Sequence, residues 1–188
     1  MIEQNFAHVK HKVLRRLVAY WFDKRSERSM PSRRDIDPVE IPWALSSIWL
    51  CDYQPADRRF RYRLAGEQIN AFWGYNIGGR YLDEIVPARR LNEAHQCLAA
   101  ASEGPSIVHD FGRIYMQDEV FATSERIILP LSDDGREVNG LLGASCRDWY
   151  RDLALDGGLQ SRQTATLTPL NDAAASSLAD ESTLNFSP

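Results

Sequence analysis

The sequence contains no long hydrophobic run and only three cysteines. No stretch of about 18 consecutive apolar residues occurs, which excludes a transmembrane helix and predicts no membrane association. Cys51, Cys97 and Cys146 are far apart and form no CxxC pair, so they indicate neither a zinc site nor a disulfide framework. The first twelve residues lack the apolar core of a signal peptide. We therefore expect a cytoplasmic protein whose thiols are reduced and buried.

Sequence motifs of the common enzyme classes are also lacking. No GxSxG, Walker-type, HExxH or GxGxxG pattern occurs, and the NIGGR segment lacks the Lys-Ser or Lys-Thr that completes a phosphate loop. His109 and Asp110 are neighbours on a predicted strand, so they point to opposite faces and do not form a catalytic pair. These absences predict a protein without catalytic activity of its own. A small enzyme on the same scaffold stays open as an alternative.

Aromatic residues are scarce at the end of the chain. Of the 19 aromatic residues, only Phe186 follows residue 150, and the same segment is rich in Ala, Ser and Thr. So few bulky side chains bury too little apolar surface to offset the entropy lost on ordering. The composition therefore predicts an N-terminal part of residues 1–45, a structured domain of residues 46–149 and a disordered tail of residues 150–188.

The net charge of −4 conceals a segregation of charge along the chain. Residues 1–34 carry a charge of +6, residues 35–150 carry −7 and the tail carries −3. A basic segment on an acidic body suggests contact with an acidic partner, a second copy of the chain or nucleic acid, although a solvated helix face explains it equally well. Nucleic-acid binding is not favoured, because no helix-turn-helix, zinc finger or RNA-binding strand motif occurs.

The N-terminal part begins with an amphipathic pattern. Between residues 5 and 26, apolar residues recur at spacings of three and four, which predicts a helix with one apolar stripe. The stripe must be buried, either against the chain's own domain or in a homodimer. We expect Leu14, Leu17 and Trp21 to make this contact. Three closely spaced prolines then predict an irregular connector.

The central part alternates between strand and helix patterns. Phe60, Tyr62 and Leu64 alternate with arginines, as in a strand with one buried face. Asp134-Gly135 is typical of a hairpin turn. Five antiparallel strands with three short helices on one face give an α+β sandwich. The predicted strands cover residues 48–53, 60–66, 106–116, 120–131 and 138–149, and the predicted helices cover residues 67–74, 81–86 and 88–104.

This order of elements resembles the PAS domain over residues 46–149. The segments MPSRRDIDPVEIP, FRYRLAGEQI and GRYLDEI are similar to a single-PAS subgroup common in alphaproteobacteria. The resemblance implies a PAS-like five-stranded antiparallel sheet with short helices on one face, preceded by the N-terminal amphipathic helix. It further implies a sensory module that binds a small molecule or a signalling protein, and some subgroup members resemble regulators of motility and cell-cycle signalling.

A PAS-like fold implies a mostly apolar pocket between the sheet and the short helices. In haem-binding PAS proteins the iron ligand resembles a histidine on the long helix, so a haem-based gas or redox sensor with His95 as axial ligand is an alternative. Flavin photochemistry is not favoured, because the NCRFLQ-like motif of light-sensing relatives is absent. Core packing is the simpler explanation for the apolar members of the expected lining, which consists of Tyr62, Phe72, Trp73, Leu82, Ile85, His95, Leu98, His109 and Phe111.

Overall fold

An antiparallel sheet of seven strands forms the framework of the fold. The structure is a computed structural model, which describes residues 6–115, 121–149, 163–170 and 182–186. The strands are β1 (Ile48–Gln54), β2 (Arg59–Ala65), β3 (Ser106–Tyr115), β4 (Phe121–Leu131), β5 (Gly140–Trp149), β6 (Gln163–Pro169) and β7 (Ser182–Phe186). They lie side by side in the order β2-β1-β5-β4-β3-β6-β7, and each neighbouring pair is antiparallel.

The prediction of five strands is wrong in number but right in position. Strands β1 to β5 begin and end within two residues of their predicted bounds. Strands β6 and β7 come from the segment whose composition predicted disorder, so that prediction is wrong for these two stretches. The physical reason is that β6 pairs its backbone with β3, and Ala165 and Thr168 are buried by that pairing. Backbone hydrogen bonds order a strand without needing aromatic side chains. Other residues of the predicted tail lie outside the described residues.

Four helices accompany the sheet in the described residues. They are α1 (Lys12–Arg25), α2 (Glu67–Trp73), α3 (Leu82–Ile85) and α4 (Ala88–Ser102), and a single 3₁₀ turn covers Arg33–Asp35. Helices α2 to α4 confirm the three predicted from the sequence. Helix α1 starts later than predicted, because His11 is its N-cap and accepts a hydrogen bond from the Val13 amide. Phe6 and Val9, which continue the helical spacing, are buried in a preceding turn instead.

The helices lie on both sides of the sheet. We call the face that carries Glu125 and Ile127 the outer face, and the face that carries Arg126 and Ile128 the inner face, because side chains alternate along β4. Helix α1 packs on β4 and β5, whereas α4 packs on β3, β4 and β5. The Trp21 indole of α1 donates a hydrogen bond of 2.9 Å to the Pro130 carbonyl. The central strands are thus covered on both faces.

The outward edge of β2 is partly paired by a short irregular segment. The Tyr62 amide donates to the Arg80 carbonyl at 2.8 Å, and the Gly79 amide donates to the Tyr62 carbonyl at 2.6 Å. Gly79 has a φ of 86°, a left-handed conformation that favours glycine. The segment fixes the start of α3 beside the sheet. At the opposite end of the sheet, β7 pairs on one side with β6.

Candidate functional site

The inner face carries a charged pair inside otherwise apolar surroundings. Asp110 and Arg126 lie directly opposite each other on β3 and β4. The Arg126 guanidinium donates to the Asp110 carboxylate at 2.6 Å, and the two side chains are 23% and 10% exposed. Burial alone lowers the pKa of the guanidinium, but the carboxylate of Asp110 outweighs this and raises it. A paired charge at this depth is costly to separate from its partner.

Arg147 on β5 supplies a second guanidinium on the same face. Its group lies 3.7 Å from the centre of the Phe72 ring on α2, in a cation–π contact. No hydrogen bond or ion pair joins the Arg147 side chain to another described residue, and its Nε is buried without an acceptor. Burial, followed by the nearby charge of Arg126, lowers the pKa of Arg147 to about 10. The group therefore stays protonated at neutral pH.

These three residues leave an unbalanced positive charge against the inner face. Arg126 and Arg147 contribute two cations, and Asp110 contributes one anion that Arg126 already occupies. The Nε of Arg126 is also buried without an acceptor. Buried polar groups are nearly always satisfied in folded proteins, so two unsatisfied guanidinium nitrogens on one face call for an explanation. A guanidinium carries only donors, so these two nitrogens can be satisfied by an anion that accepts from them.

Helix α2 contributes two aromatic side chains near these charges. Phe72 and Trp73 stand at its end, where Gly74 adopts a left-handed φ of 76° and stops the helix. Their rings meet edge to face with centroids 5.0 Å apart. Phe72 lies over Arg147, and Trp73 packs on the hydrophobic core. The two rings are therefore neighbours, and their role in a ligand pocket stays a prediction.

Four other expected lining residues also lie in the core beneath the helices. They are at most 8% exposed and belong to the continuous hydrophobic cluster of the domain. Burial raises the pKa of the Tyr62 hydroxyl above its ordinary value of 10.0, so it stays neutral. The Tyr62 ring meets Trp49 edge to face at 5.5 Å. These residues are Tyr62, Leu82, Ile85 and Leu98.

His109 and Phe111 do not belong with the others, so the expected lining is corrected at these two positions. Their side chains lie on the outer face, because the alternation along β3 places only Asp110 between them on the inner face. The His109 ring nitrogen Nε2 lies 2.8 Å from the Glu125 carboxylate. Phe111 is 37% exposed and carries the Lys10 ammonium 4.6 Å above its ring. Both therefore contact the N-terminal segment.

His95 lies at the rim of the fold. Its Nε2 is 2.9 Å from the Arg58 carbonyl, and its ring meets Phe60 edge to face at 5.2 Å. A carbonyl only accepts hydrogen bonds, so Nε2 donates its proton in this contact. The described residues contain no group of three or more His, Cys, Asp or Glu side chains that could hold a metal ion. Haem needs only one axial ligand, so the haem alternative at His95 stays a prediction.

A shallow cleft lies beside His95. It has a volume of about 490 Å³ and opens between the β1–β2 turn and helices α3 and α4. Its two arginines are already paired, since Arg59 contacts Asp83 at 3.0 Å and Arg58 contacts Glu103 at 2.7 Å. The cleft is lined by Asp57, Arg58, Arg59, Phe60, Leu82, Asp83, Ala88, Leu91, Asn92 and His95.

A family model described as PAS domain matches residues 9–146. The chain belongs to the PAS domain family. The match begins before α1, so the family's sequence pattern includes this helix and the connector as well as the first five strands. It ends before β6 and β7. No curated protein and no solved structure gives a significant match to the chain.

Membership in the PAS family supports a sensory or signalling role. Within the part of the chain that the structure describes, no helix is both long enough and apolar enough to cross a membrane. The three cysteines are free and buried, as predicted. Burial raises the pKa of the Cys97 and Cys146 thiols to about 11, so neither is a ready nucleophile at neutral pH.

The apolar stripe of α1 packs against the sheet of its own PAS domain. Leu14, Leu17 and Trp21 are each fully buried by their own chain, so the expected homodimer contact through these residues is corrected. The alternative, packing against the chain's own sheet, is what the structure shows. Part of the basic charge is also used internally, since Lys24 contacts Glu40 at 2.6 Å and Arg28 contacts Asp35 at 2.8 Å.

The sequence reasoning missed the inner-face charges of this PAS domain. Asp110 was compared only with His109, its neighbour in sequence, which faces the other way, and Arg126 and Arg147 were not singled out. A signal was nevertheless available, because Arg126 precedes three consecutive apolar residues in a strand expected to be buried. Charged side chains in buried strands are rare unless they are paired or functional.

Proposed function

We propose that this PAS domain is a non-enzymatic sensor that binds a small molecule between the inner face and helices α2 to α4. The signal passes through the central strands to the N-terminal segment and α1, which a signalling protein then recognises. One observation carries this proposal. Strand β4 holds the inner-face charge with Arg126 and the N-terminal segment with Glu125, at adjacent positions.

The contact between Glu125 and the N-terminal segment connects the outer face of β4 to the start of α1. The Glu125 carboxylate accepts the Lys10 amide at 2.6 Å and the His11 amide at 2.7 Å, and it also contacts His109. His11 is the N-cap of α1, so the carboxylate holds the residue at which the helix begins. A small rotation of β4 that improves contacts on one face must disturb them on the other, because one strand backbone carries both.

The wider biological role follows from the sequence resemblance. The connector and the β2 region are similar to a single-PAS subgroup common in alphaproteobacteria, some of whose members resemble regulators of motility and cell-cycle signalling. We extend that role to this chain and place it in the cytoplasm. The absence of common catalytic motifs supports a module that acts through its partners rather than by chemistry of its own.

Hydrogen exchange tests the coupling between the two faces. Replacing Asp110 with Asn removes the negative charge from Arg126 without touching the outer face. We expect the amides of Lys10 and His11 and the first turn of α1 to exchange at least several-fold faster. The matched control is Asp83→Asn, which removes an exposed carboxylate from the Arg59 contact. Unchanged exchange in Asp110→Asn, in a protein that remains folded by circular dichroism, would contradict the proposed route.

A further inference from the structure

The inner face presents a guanidinium for which the described residues supply no counterion. The Arg147 side chain makes no hydrogen bond or ion pair with any other described residue, although its Nε is fully buried. Its planar group rests on the Phe72 ring, which fixes the orientation of its donors. A partly buried guanidinium whose Nε has no acceptor is unfavourable for stability, so its presence is more readily explained by a ligand than by packing.

We propose that Arg147, together with the unsatisfied edge of Arg126, binds the carboxylate group of an organic monocarboxylic acid whose apolar body lies among the aromatic residues of the inner face. This inference rests on the proposed function and names the ligand class of the same site.

The charge count selects a single negative charge. Asp110 neutralises Arg126, and no residue that the structure describes neutralises Arg147. One carboxylate balances the site, whereas a phosphate dianion brings more negative charge than the site neutralises and lies close to Asp110. Arginine also matches a planar carboxylate with two parallel hydrogen bonds, which is the strongest geometry available to the pair.

The surroundings select an apolar body for the ligand. Phe72 packs on Arg147, and Trp49 and Tyr62, which meet edge to face on the inner side of the sheet, are 2% and 8% exposed. Pockets lined by such residues bind the bulk of a ligand by apolar contact and orient it by a few polar groups. The Arg126 side chain is 23% exposed and Arg147 is partly buried, so both keep part of their surface accessible to a ligand.

Calorimetry with paired probes tests this assignment. Octanoate and benzoate are the carboxylate probes, 1-octanol and benzyl alcohol are their neutral counterparts, and octyl phosphate is the dianionic probe. We expect at least one carboxylate to bind the wild-type chain at least about tenfold more tightly than its alcohol and than the phosphate. Arg147→Gln is expected to abolish that preference, and Arg136→Gln, at an exposed arginine in the turn before β5, is expected to keep it.

A stability measurement without any ligand gives a second, independent readout. Because Arg147 is an unpaired cation in a mostly buried place, Arg147→Met is expected to raise the midpoint of thermal unfolding by about 2 °C or more while it removes carboxylate binding. A purely structural arginine would lower the midpoint when replaced.

The outcomes separate this inference from the proposed function. If an alcohol binds as tightly as its carboxylate, if the phosphate binds best, or if Arg147→Gln retains carboxylate affinity, the ligand class is wrong while a sensor role survives. If no probe binds up to about 10 mM, or if Arg147→Met lowers the midpoint, the carboxylate site is rejected. Failure of the coupling between Asp110 and the Lys10 amide would instead reject the proposed function.

Discussion

Glu125 and Arg126 are consecutive residues of β4 that hold opposite sides of the molecule. Arg126 contacts Asp110 under the helical layer at 2.6 Å, and Glu125 accepts the Lys10 amide at 2.6 Å on the other face. Consecutive strand residues share one peptide unit, so neither side chain can be displaced far without moving the other. This adjacency gives a physical link between a buried charge and the first residues of the chain.

The hydrogen bonds of Glu125 should be essential for holding the N-terminal segment. Glu125→Gln retains the size of the side chain but removes its charge and replaces one acceptor oxygen with a donor. We expect the free energy of unfolding to fall by about 1–3 kcal/mol, because the hydrogen bonds from two partly buried amides and from His109 are weakened or lost. Urea denaturation measures this change. Glu137→Gln, at an exposed glutamate before β5, is the control and should change stability by no more than about 0.5 kcal/mol.

The same carboxylate should make stability depend on pH in the acid range. Burial raises the pKa of Glu125, but hydrogen bonds from His109 and from the amides of Lys10 and His11 outweigh burial and hold it below the ordinary value of 4.5. A carboxyl group with a lowered pKa in the folded state stabilises the fold above its unfolded pKa and loses this contribution as the pH falls. We expect Glu125→Gln to show a smaller loss of unfolding free energy than the wild type below about pH 4.5. Parallel pH profiles of the two proteins would contradict this.

Helix α1 should contribute to folding rather than to dimerisation. Leu17 is fully buried on the outer face, so Leu17→Ala is expected to lower the free energy of unfolding by about 2–5 kcal/mol. Arg15→Ala, on the exposed side of the same helix, should cost no more than about 0.5 kcal/mol. Urea denaturation at two protein concentrations is the measurement. A midpoint for Leu17→Ala that rises with concentration to the wild-type value would show instead that Leu17 acts in an interface between chains.

The close approach of Trp49 to β5 should make Gly143 intolerant of a side chain. A β-carbon at this position would lie 2.0 Å from the Trp49 indole, which is itself buried. We expect Gly143→Ala to destabilise the fold by about 1–3 kcal/mol through overpacking. Gly104→Ala is the matched control, because no atom lies within 4 Å of its added carbon. Thermal unfolding compares the two, and equal midpoints would show that the indole moves aside freely.

A substitution in β6 tests whether this strand, which the composition predicted to be disordered, packs on β3. Ala165 is fully buried opposite Asp110, whereas its neighbour Thr164 is exposed. Ala165→Asp would bury a charge beside another carboxylate and is expected to lower unfolding free energy by about 2–4 kcal/mol. Thr164→Asp should have little effect. If both variants match the wild type in urea denaturation, β6 does not pack on β3 in solution.

Most elements of the PAS fold could be predicted from local pattern. The alternation around Tyr62 marks β2, and the spacing of Leu14, Leu17 and Trp21 marks the buried stripe of α1. The start of α1 could not be found in this way, because Phe6 and Val9 continue the helical spacing although they lie in a turn. The spacing of apolar residues indicates which side chains are buried, but it does not indicate at which N-cap residue a helix begins.

The site was harder to predict than the fold, because it depends on strand register. Asp110 and Arg126 are sixteen positions apart and meet only through the pairing of β3 with β4. The same register places the His109 side chain on the outer face. The sequence pattern had instead predicted that His109 lines the pocket on the inner face. Strand β6 was missed for a related reason. It is ordered by its pairing with β3, whereas its own amino-acid composition is typical of a linker.

The short segment at Gly79 and Arg80 has a consequence for how the sheet can grow. By pairing with Tyr62 it occupies backbone groups that would otherwise face a foreign strand at the β2 end. Addition of a strand from another molecule is therefore obstructed at this stretch of β2. Any peptide that docks by strand addition, and any aggregate that spreads by it, should avoid the backbone of Tyr62.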